Sequence, residues 1–456
     1  MSAAVDHGYR YLFESSVEAK AGTPALQLAT SGGTADNPFF FQGKMRAPEL
    51  SATLLSTLSR VVGSRFYVPP AMLARILALA DPVVTSGEGM LRFEGFSSCA
   101  SAYARVDFTP DAHDGQVVSS GTTNVDFNAK MRGTLASLRD RDGMELSVGR
   151  EEVRLTRGEE TVVERKVALP LRWLKGFVEV QAYAARMQPF AEIGGVEALR
   201  FVRALPRTAS RQEQWLQHQG RGVRLAHTRR PGALRVGGVE RLRVLEPLLA
   251  RCKRLNVYAD ADGQASTWQL DFDIARFSLT ISGDVWRGFS GEGQALGALR
   301  QRKTLSALVP ALRACLAWQV ALEPGALAAR IGRTEDEVHA ALQLLGARGL
   351  VGFDQHAARY FHRELPFDLS KLEALAPRLR AAQQLLEREE LKQAPADPGL
   401  VLVPSGGVVH RVELRQDGAR CTCPWFAKHQ GARGPCKHVL AAETYVEGLH
   451  EHRRQS

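Results

Sequence analysis

The chain has 456 residues, enough for about three domains, and its 45% hydrophobic and 24% charged residues are typical of a globular protein with a sizeable core. The N-terminal residues do not form a basic segment followed by an apolar one, so the sequence predicts no secretory signal. No run of roughly 20 apolar residues is present, so no membrane partner is predicted. A net charge of +10 favours an anionic partner.

Residues 1–300 predict a large mixed α+β region. Leu54, Leu58 and Val61 recur at helical spacing in a helix predicted at 49–62, and from residue 90 the hydrophobic period changes to the two-residue period of strands. Two blocks then share the order of one helix and three strands. The blocks are 128–139, 144–148, 152–155 and 161–167, then 239–254, 255–259, 267–272 and 277–281. This order predicts an internal duplication, and it resembles that of DNA sliding clamps in outline.

The basic surplus is concentrated in one segment, 200–254. This segment contains fourteen Lys and Arg residues and three Glu residues, a local charge of +11 that accounts for the whole surplus of the chain. Such a surface attracts polyphosphate backbones through the release of counterions. We therefore predict nucleic-acid contacts by Arg221, Arg224, Arg229 and Arg230, with ordinary solvated helix faces as the alternative.

No catalytic constellation stands out in residues 1–300. The sequence has neither a phosphate-binding G-x-x-x-x-G-K-[ST] loop nor a G-x-S-x-G nucleophile elbow, and Gly291, Gly293 and Gly297 miss the dinucleotide-binding spacing by one residue. An enzyme is therefore not predicted. The alternative is a DNA-directed enzyme with an unrecognised active site in residues 90–300.

Three helices and a β-hairpin are predicted within 304–365. The third helix starts at the capping-box pattern of Thr334 and Glu337, and the hairpin strands are expected near 350–353 and 360–364. This order resembles the winged helix-turn-helix family, which implies a helix in the DNA major groove and a hairpin on the backbone. Arg359 and Arg363 of the hairpin are the candidate phosphate contacts, and a purely protein-binding role is the alternative.

A helix and a linker are predicted over 366–399. The helix is expected from Asp368 to Lys392 with an interruption at Pro377, and the Pro- and Gly-containing run 393–399 is typical of a linker. The linker leads into a small module at 400–450.

The module at 400–450 carries the spacing C-x-C-x12-C-x-H. Cys421, Cys423, Cys436 and His438 offer three thiolates and one imidazole, the closed tetrahedral set that structural Zn²⁺ prefers. Because four protein ligands leave no position for a reacting water, we predict one structural Zn²⁺. A two-stranded hairpin is expected to deliver the first ligand pair, and a turn with a helix start is expected to deliver the second, which gives a ββα zinc knuckle.

The ligand pattern and the sequence around it, C-T-C-P and P-C-K-H-V-L, resemble the SWIM zinc finger family. The resemblance is confined to this module. It implies a zinc-stabilised finger that interacts with DNA or with protein. It also implies, as possible partners, the AAA-type ATPases and von Willebrand A-domain proteins that accompany bacterial stand-alone SWIM proteins.

Three other histidines compete with His438 for the fourth ligand position. His429 lies between the polar residues Lys428 and Gln430, and His450 and His452 lie in a charged tail, so His438 is preferred. The remaining cysteines are scattered and predict no disulfide framework, which favours a reducing, cytoplasmic compartment. These cysteines are Cys99, Cys252 and Cys315.

The sequence as a whole predicts a zinc-binding adaptor that contacts DNA or another nucleic acid, proteins, or both. Arg433 and Lys437 lie beside the zinc ligands and offset the negative charge of three thiolates on one Zn²⁺. They are also candidate phosphate contacts.

Overall fold

The computed structural model describes sixteen stretches of the chain, and every structural statement below concerns these residues. They are 16–20, 23–29, 39–66, 82–117, 120–124, 127, 129–149, 152–155, 171–210, 212–285, 288–289, 308–365, 377–388, 390–415, 418–431 and 434–455. They form two compact units, each drawn from several stretches of the chain. The fold is mixed α/β, with a small metal-binding segment at its C-terminal end, as predicted.

The first unit combines the described residues within Met1–Ser290 with Cys315–Glu323 and Gly349–Phe367. Its strands are β1 (Ser16–Lys20), β2 (Thr23–Ala29), β3 (Phe39–Met45), β4 (Val83–Gly87), β5 (Met90–Phe96), β6 (Ala102–Phe108), β7 (His113–Val117), β8 (Gly121–Asn124), β9 (Glu145–Gly149), β10 (Glu152–Leu155), β11 (Gln188–Gly194), β12 (Gln214–Gln219), β13 (Gly222–Ala226), β14 (Leu234–Val236), β15 (Arg254–Ala259), β16 (Ala265–Asp271), β17 (Ala275–Ser282), β18 (Val351–Asp354) and β19 (Arg359–His362). Its helices are α1 (Pro48–Gly63), α2 (Ala129–Ser137), α3 (Leu171–Ala184), α4 (Gly195–Ala204) and α5 (Glu246–Leu249).

Two antiparallel sheets form most of the first unit. The larger has the strand order β11-β15-β16-β17-β6-β5-β4-β8, and the smaller has the order β1-β2-β10-β9-β3-β7. Strands β17 and β6 pair near the middle of the larger sheet, with Phe277 opposite Val106. Both side chains are buried in the main core, together with Leu54, Leu58 and Val61 of α1. The helix predicted at 49–62 is therefore confirmed, and its apolar stripe covers β5 and β6.

The two predicted helix-and-strand blocks contribute to different sheets. In the first block, α2 is followed by β9 and β10 of the smaller sheet, and the strand predicted at 161–167 lies outside the described residues. In the second block, the helix predicted at 239–254 begins as the 3-10 helix Val239–Leu245 and ends with α5. Its three strands are β15, β16 and β17 of the larger sheet. The internal duplication stays a prediction.

The hairpin of β18 and β19 is attached to the larger sheet by buried charges. Asp354 accepts hydrogen bonds from Arg92 at 3.0 Å and from Arg105 at 3.2 Å, and both arginines also approach Asp107, at 3.5 Å and 3.0 Å. Burial alone would raise the pKa of Asp354, but the guanidinium groups of Arg105 and Arg92 lower this pKa well below its ordinary value. Asp354 is therefore an ionised carboxylate in the interior.

The second unit combines described residues within Gly291–Ala314 with Pro324–Arg348 and with described residues from Asp368 onward. Its helices are α6 (Leu308–Arg313), α7 (Pro324–Ile331), α8 (Glu335–Ala347), α9 (Pro377–Arg388), α10 (Pro424–His429) and α11 (Lys437–Gln455). Its strands β20 (Lys392–Ala394), β21 (Asp397–Ser405), β22 (Val408–Arg415) and β23 (Gly418–Cys421) form one antiparallel sheet in chain order. None of the described helices has both the length and the apolar character needed to cross a bilayer.

The elements predicted for a winged helix are present, but a winged helix is not confirmed. Helices α6, α7 and α8 belong to the second unit, whereas β18 and β19 belong to the first. The physical reason is the buried carboxylate of Asp354, which attaches the hairpin to the larger sheet of the first unit.

The linker predicted at 393–399 is instead part of the C-terminal sheet. Gln393 of β20 pairs with Val401 of β21, and the turn between the two strands lies at 395–396. The ion pair of Asp397 with Arg415 at 2.7 Å joins the beginning of β21 to the end of β22. The proline and glycine residues of this run therefore belong to a hairpin turn and a strand. Composition alone does not distinguish such a turn from a flexible linker.

Candidate metal centre

The four predicted metal ligands lie at the ends of neighbouring elements of the second unit. Cys421 is the last residue of β23 and pairs with Val412 of β22, so the hairpin predicted to deliver it is confirmed. Cys423 is the residue before α10, and Cys436 is the residue before α11. His438 is the second residue of α11.

The ligand atoms of these four residues converge on one point. All of them lie within 4.8 Å of one another, and all four residues are buried. The Nδ1 atom of His438 lies 3.8 Å from Sγ of Cys421 and 4.0 Å from Sγ of Cys436. A tetrahedral Zn²⁺ ion holds sulfur and nitrogen ligand atoms about 3.5–3.8 Å apart, so small movements of these side chains would fit them to the ion.

The backbone supports negative charge on two of the three sulfurs. The amide N–H of Phe426 donates to Sγ of Cys423 at 3.3 Å, and the amide N–H of Val439 donates to Sγ of Cys436 at 3.4 Å. In each case the donor belongs to the first turn of a helix, whose free N–H groups favour an anion. The sites of these two sulfurs are therefore prepared for thiolates.

Hydrogen bonding and burial shift the pKa values of the three cysteine thiols in different directions. A hydrogen bond from Cys421 lowers the pKa of Cys436 from 9.0 to about 4, and the same hydrogen bond raises the pKa of Cys421 well above its ordinary value. Burial raises the pKa of Cys423. Three thiolates at this spacing need a cation between them, and Zn²⁺ is the cation that the donor set prefers.

His438 presents one nitrogen to the sulfurs and the other to the interior. Its Nδ1 atom faces Cys421 and Cys436, so Nδ1 is the nitrogen that would bind the metal. Its Nε2 atom is buried and has no hydrogen-bond partner among the described residues. The ring of His410 lies against it with 4.1 Å between ring centroids.

The sequence analysis missed His410. Burial, followed by the neighbouring His438, lowers the pKa of His410 below its ordinary value. Because residues two apart on a strand share a face, His410 had to lie on the same face of β22 as the buried Val412. This alternation of faces along β22 is the sequence signal that could have identified His410. His410 therefore packs beside the ligand set, where its lowered pKa favours the neutral ring.

The metal centre is attached to the core of the C-terminal module. Val401, Val403, Val412 and Leu440 are buried in one cluster with the three ligand cysteines. Arg378 of α9 donates to the carbonyl oxygen of Pro435 at 2.9 Å, and its guanidinium lies 4.7 Å from the centre of the Trp425 ring. Since all four ligand positions are taken by protein, the centre can staple the module together but leaves no position for a reacting water.

The competing histidines do not join the ligand group. His429 ends α10, where its ring lies 4.9 Å from that of Trp425. His450 and His452 belong to α11, but their side chains lie outside the described residues. Within the described part of the chain, the group of Cys421, Cys423, Cys436 and His438 is the one set of His, Cys, Asp or Glu side chains that is arranged to hold a metal ion.

The four arginines predicted to bind nucleic acid in 200–254 lie in the first unit, on and beside a three-stranded sheet of order β13-β12-β14. Arg221 lies in the turn between β12 and β13, Arg224 lies on β13, and Arg229 and Arg230 lie in the loop between β13 and β14. Arg221, Arg229 and Arg230 are exposed, and Arg224 is partly exposed. The structure thus collects the four candidates around one small sheet.

The other predicted phosphate contacts differ in exposure. Arg363 is fully buried and forms an ion pair with the buried Glu94, so its guanidinium is not at the surface. Arg359 is partly exposed and pairs with Glu323 at 3.2 Å. Lys437 is partly exposed beside the metal ligands, and Arg433 lies outside the described residues.

A family comparison agrees with the geometry of the metal centre. The model of the SWIM zinc finger family matches residues 410–447, which include all four ligands. The match lies within the module at 400–450. No curated protein matches the chain in sequence.

Solved structures similar to the chain include two that concern proliferating cell nuclear antigen. One is the crystal structure of this antigen from Entamoeba histolytica, with 9% identity, a TM-score of 0.36 and coverage of 54% of this chain and 99% of that chain. The other contains the C-terminal region of FEN-1 bound to the antigen of A. fulgidus, with 13% identity, a TM-score of 0.35 and coverage of 54% and 98%. At these TM-scores neither likeness bears on the function of this chain.

Proposed function

With a SWIM zinc finger at residues 410–447 as the premise, we propose that the chain is a zinc-binding adaptor that contacts nucleic acid through the basic segment 200–254. The zinc ion is structural and holds the C-terminal module in its folded form. That module is then free to contact DNA or a protein.

The observation that carries the nucleic-acid part is the absence of acidic partners around four arginines. Arg221, Arg224, Arg229 and Arg230 form no ion pair within the described residues. Several other cations of the same segment are already paired: Arg203 with Glu246 at 3.1 Å, Arg251 with Glu49 at 2.9 Å and Lys253 with Asp273. Arg241 is buried and donates to the carbonyl oxygens of Ser101 and Ser282, so it is not available either. Four arginines that are free to meet a phosphate thus lie together around β12, β13 and β14.

The salt dependence of DNA binding tests this proposal. We expect the full-length, zinc-loaded protein to bind DNA with an affinity that falls as salt rises, because each neutralised phosphate releases counterions. Replacing Arg229 and Arg230 by Gln should weaken binding and lower the slope of log affinity against log salt by about 0.7–0.9 for each phosphate that is no longer neutralised. Titration of labelled DNA at several salt concentrations measures both quantities.

Arg203→Gln and Arg251→Gln are the matched controls, because each removes one positive charge from the same segment at a site that already has a carboxylate partner. Their salt slopes should equal that of the unmodified protein. DNA binding that ignores both salt and the Arg229 and Arg230 changes would contradict the nucleic-acid part. The adaptor would then act on protein partners, which co-purification of the tagged, zinc-loaded protein would identify; an AAA-type ATPase or a von Willebrand A-domain protein stays a prediction.

A further inference from the structure

We propose that one face of the three-stranded sheet β13-β12-β14 binds single-stranded nucleic acid, with Trp215 as the side chain on which a base stacks. This inference rests on the proposed nucleic-acid function and narrows it to one surface and one class of strand.

The sheet has one face turned to the core and one turned away from it. Leu216, Val223 and Val236 are buried in the main core, and Leu225 and Leu234 pack against it. Since neighbouring residues of a strand point to opposite faces, Trp215 on the central strand β12 points away from this core. Ala226 of β13 and Arg235 of β14 flank it as cross-strand partners.

Cations surround Trp215 on this outer face. The guanidinium of Arg229 lies 5.3 Å from the centre of the Trp215 ring. Arg224 lies on the same face and donates to Gln217 Oε1 at 3.0 Å. Gln217 in turn donates to the carbonyl oxygen of Thr228 at 2.7 Å, which fixes the loop that carries Arg229. The tryptophan is itself partly exposed.

The cations continue along the length of the strand. Arg229 and Arg230 lie at the end of the sheet nearest Trp215, and Arg221 lies in the turn at the opposite end. The six residues of β12 span about 20 Å at ~3.4 Å per residue, so the charges can follow a backbone over several nucleotides. Glu213, the acidic residue next to β12, already pairs with Arg235 at 3.1 Å. This balance is complementary to a polyanion and not to a basic protein surface.

The position of Trp215 distinguishes a single strand from a duplex. An indole ring on a sheet face can stack on a base only when that base is unstacked from its neighbours, as in single strands and loops. Duplex DNA offers this face only phosphates. The combination of a stacking ring with flanking arginines is therefore the chemistry that recognises a single strand.

The test compares a labelled oligothymidylate of about 12 nucleotides with a duplex of the same length, titrated with the full-length, zinc-loaded protein and followed by fluorescence anisotropy. We expect the single strand to bind more tightly than the duplex. Trp215→Ala should weaken single-strand binding by at least about fivefold, because the aromatic ring on which a base stacks is removed. Trp215→Phe should retain most of the affinity, since it keeps an aromatic face.

Trp215→Leu separates stacking from folding, because leucine keeps an apolar side chain at this position without an aromatic face. It should lose affinity as Trp215→Ala does while its thermal unfolding stays close to that of the unmodified protein. Arg251→Gln is the charge control and should bind as the unmodified protein does.

Two results would overturn the inference: a duplex that binds as tightly as the single strand, or Trp215→Ala and Trp215→Leu variants that keep full affinity for the single strand. In both cases the protein would still bind DNA, so the broader proposal of nucleic-acid binding would stand. If neither strand form binds the unmodified protein, the inference and the nucleic-acid part of the proposed function fail together.

Discussion

Cys423 and Cys436 occupy equivalent positions, each immediately before a helix and each accepting an amide N–H from three residues onward. At the scale of single residues, this repeated arrangement places two sulfurs where the partial positive charge of a helix start favours a thiolate. Cys421 has a different environment at the end of a strand. The centre therefore combines two helix-start ligands with one strand-end ligand and one ring nitrogen.

The first residue-scale prediction concerns Cys436. Cys436→Ser should abolish stoichiometric zinc binding and make the region after Gly399 sensitive to protease, because the module loses a ligand and a cation that holds its sheet to α11. Elemental analysis and limited proteolysis measure the two effects. Cys252→Ser is the control, since Cys252 is a buried thiol outside the ligand group, and it should keep one zinc ion per chain. A Cys436→Ser protein with a protease-resistant C-terminal fragment would count against a structural role for the metal.

Some residues could be assigned from sequence and others could not, for a physical reason. The four metal ligands lie within eighteen residues of one another, and their spacing alone indicates a coordination geometry. Arg363 looked like a surface cation because nothing near it in sequence reveals Glu94, its buried partner 269 positions away. The sequence analysis likewise missed Trp215, because only the pairing of strands places arginines on both sides of it.

At the scale of secondary-structure elements, local signals were dependable. The capping box predicted for the third helix of 304–365 is present: Thr334 Oγ1 accepts from the amide N–H of Glu337 at 3.3 Å, and Glu337 Oε2 accepts from that of Thr334 at 3.0 Å. The assembly of these elements into a winged helix is not confirmed. The hairpin of β18 and β19 was expected to complete a winged helix, but its attachment depends on a charge cluster that no local pattern reveals.

The hairpin provides an element-scale prediction. Asp354→Asn should destabilise the first unit by about 3–5 kcal/mol, because it leaves buried arginines short of a carboxylate. The position of the denaturant-unfolding midpoint measures the loss. Asp273→Asn is the control, since its exposed pair with Lys253 should be worth at most about 1 kcal/mol. Equal stability of the Asp354→Asn and unmodified proteins would show that the cluster does not hold the hairpin.

The same carboxylate sets a pH dependence. Its pKa is lower in the folded protein than in the unfolded chain, so its contribution is fully present above the unfolded value of about 3.9 and is lost as pH falls through the folded pKa. The stability difference between the unmodified protein and Asp354→Asn should therefore be constant above about pH 5 and shrink in more acidic solution. A difference that grows on acidification would contradict this assignment.

At the scale of the whole molecule, the chain is divided into two units that are not contiguous in sequence. The first unit ends its main stretch at Ser290 and then takes back Cys315–Glu323 and Gly349–Phe367. A division of the sequence into successive domains does not anticipate such an arrangement, because composition and linker signals vary along the chain and not through space.

Removal of zinc should affect the two units differently. Structural zinc in comparable small modules contributes on the order of 10 kcal/mol or more, enough to decide whether the C-terminal module folds. A chelator should therefore lower or abolish the heat-capacity peak of the second unit and leave that of the first unit in place. Calorimetry with and without chelator measures this. Two peaks that move together would mean that the units unfold as one.

The division of the first unit also determines when it can be completed during synthesis. Arg105 is made 249 residues before Asp354. At about 5–20 residues per second, this interval lasts roughly 12–50 s on the ribosome. Until Asp354 emerges, Asp107 is the one carboxylate of this cluster that can pair with Arg92 and Arg105. The buried charges of the larger sheet are therefore balanced late in synthesis. Chains that stop before residue 354 should accordingly be less stable than the full-length chain, although they already contain every described strand of both large sheets.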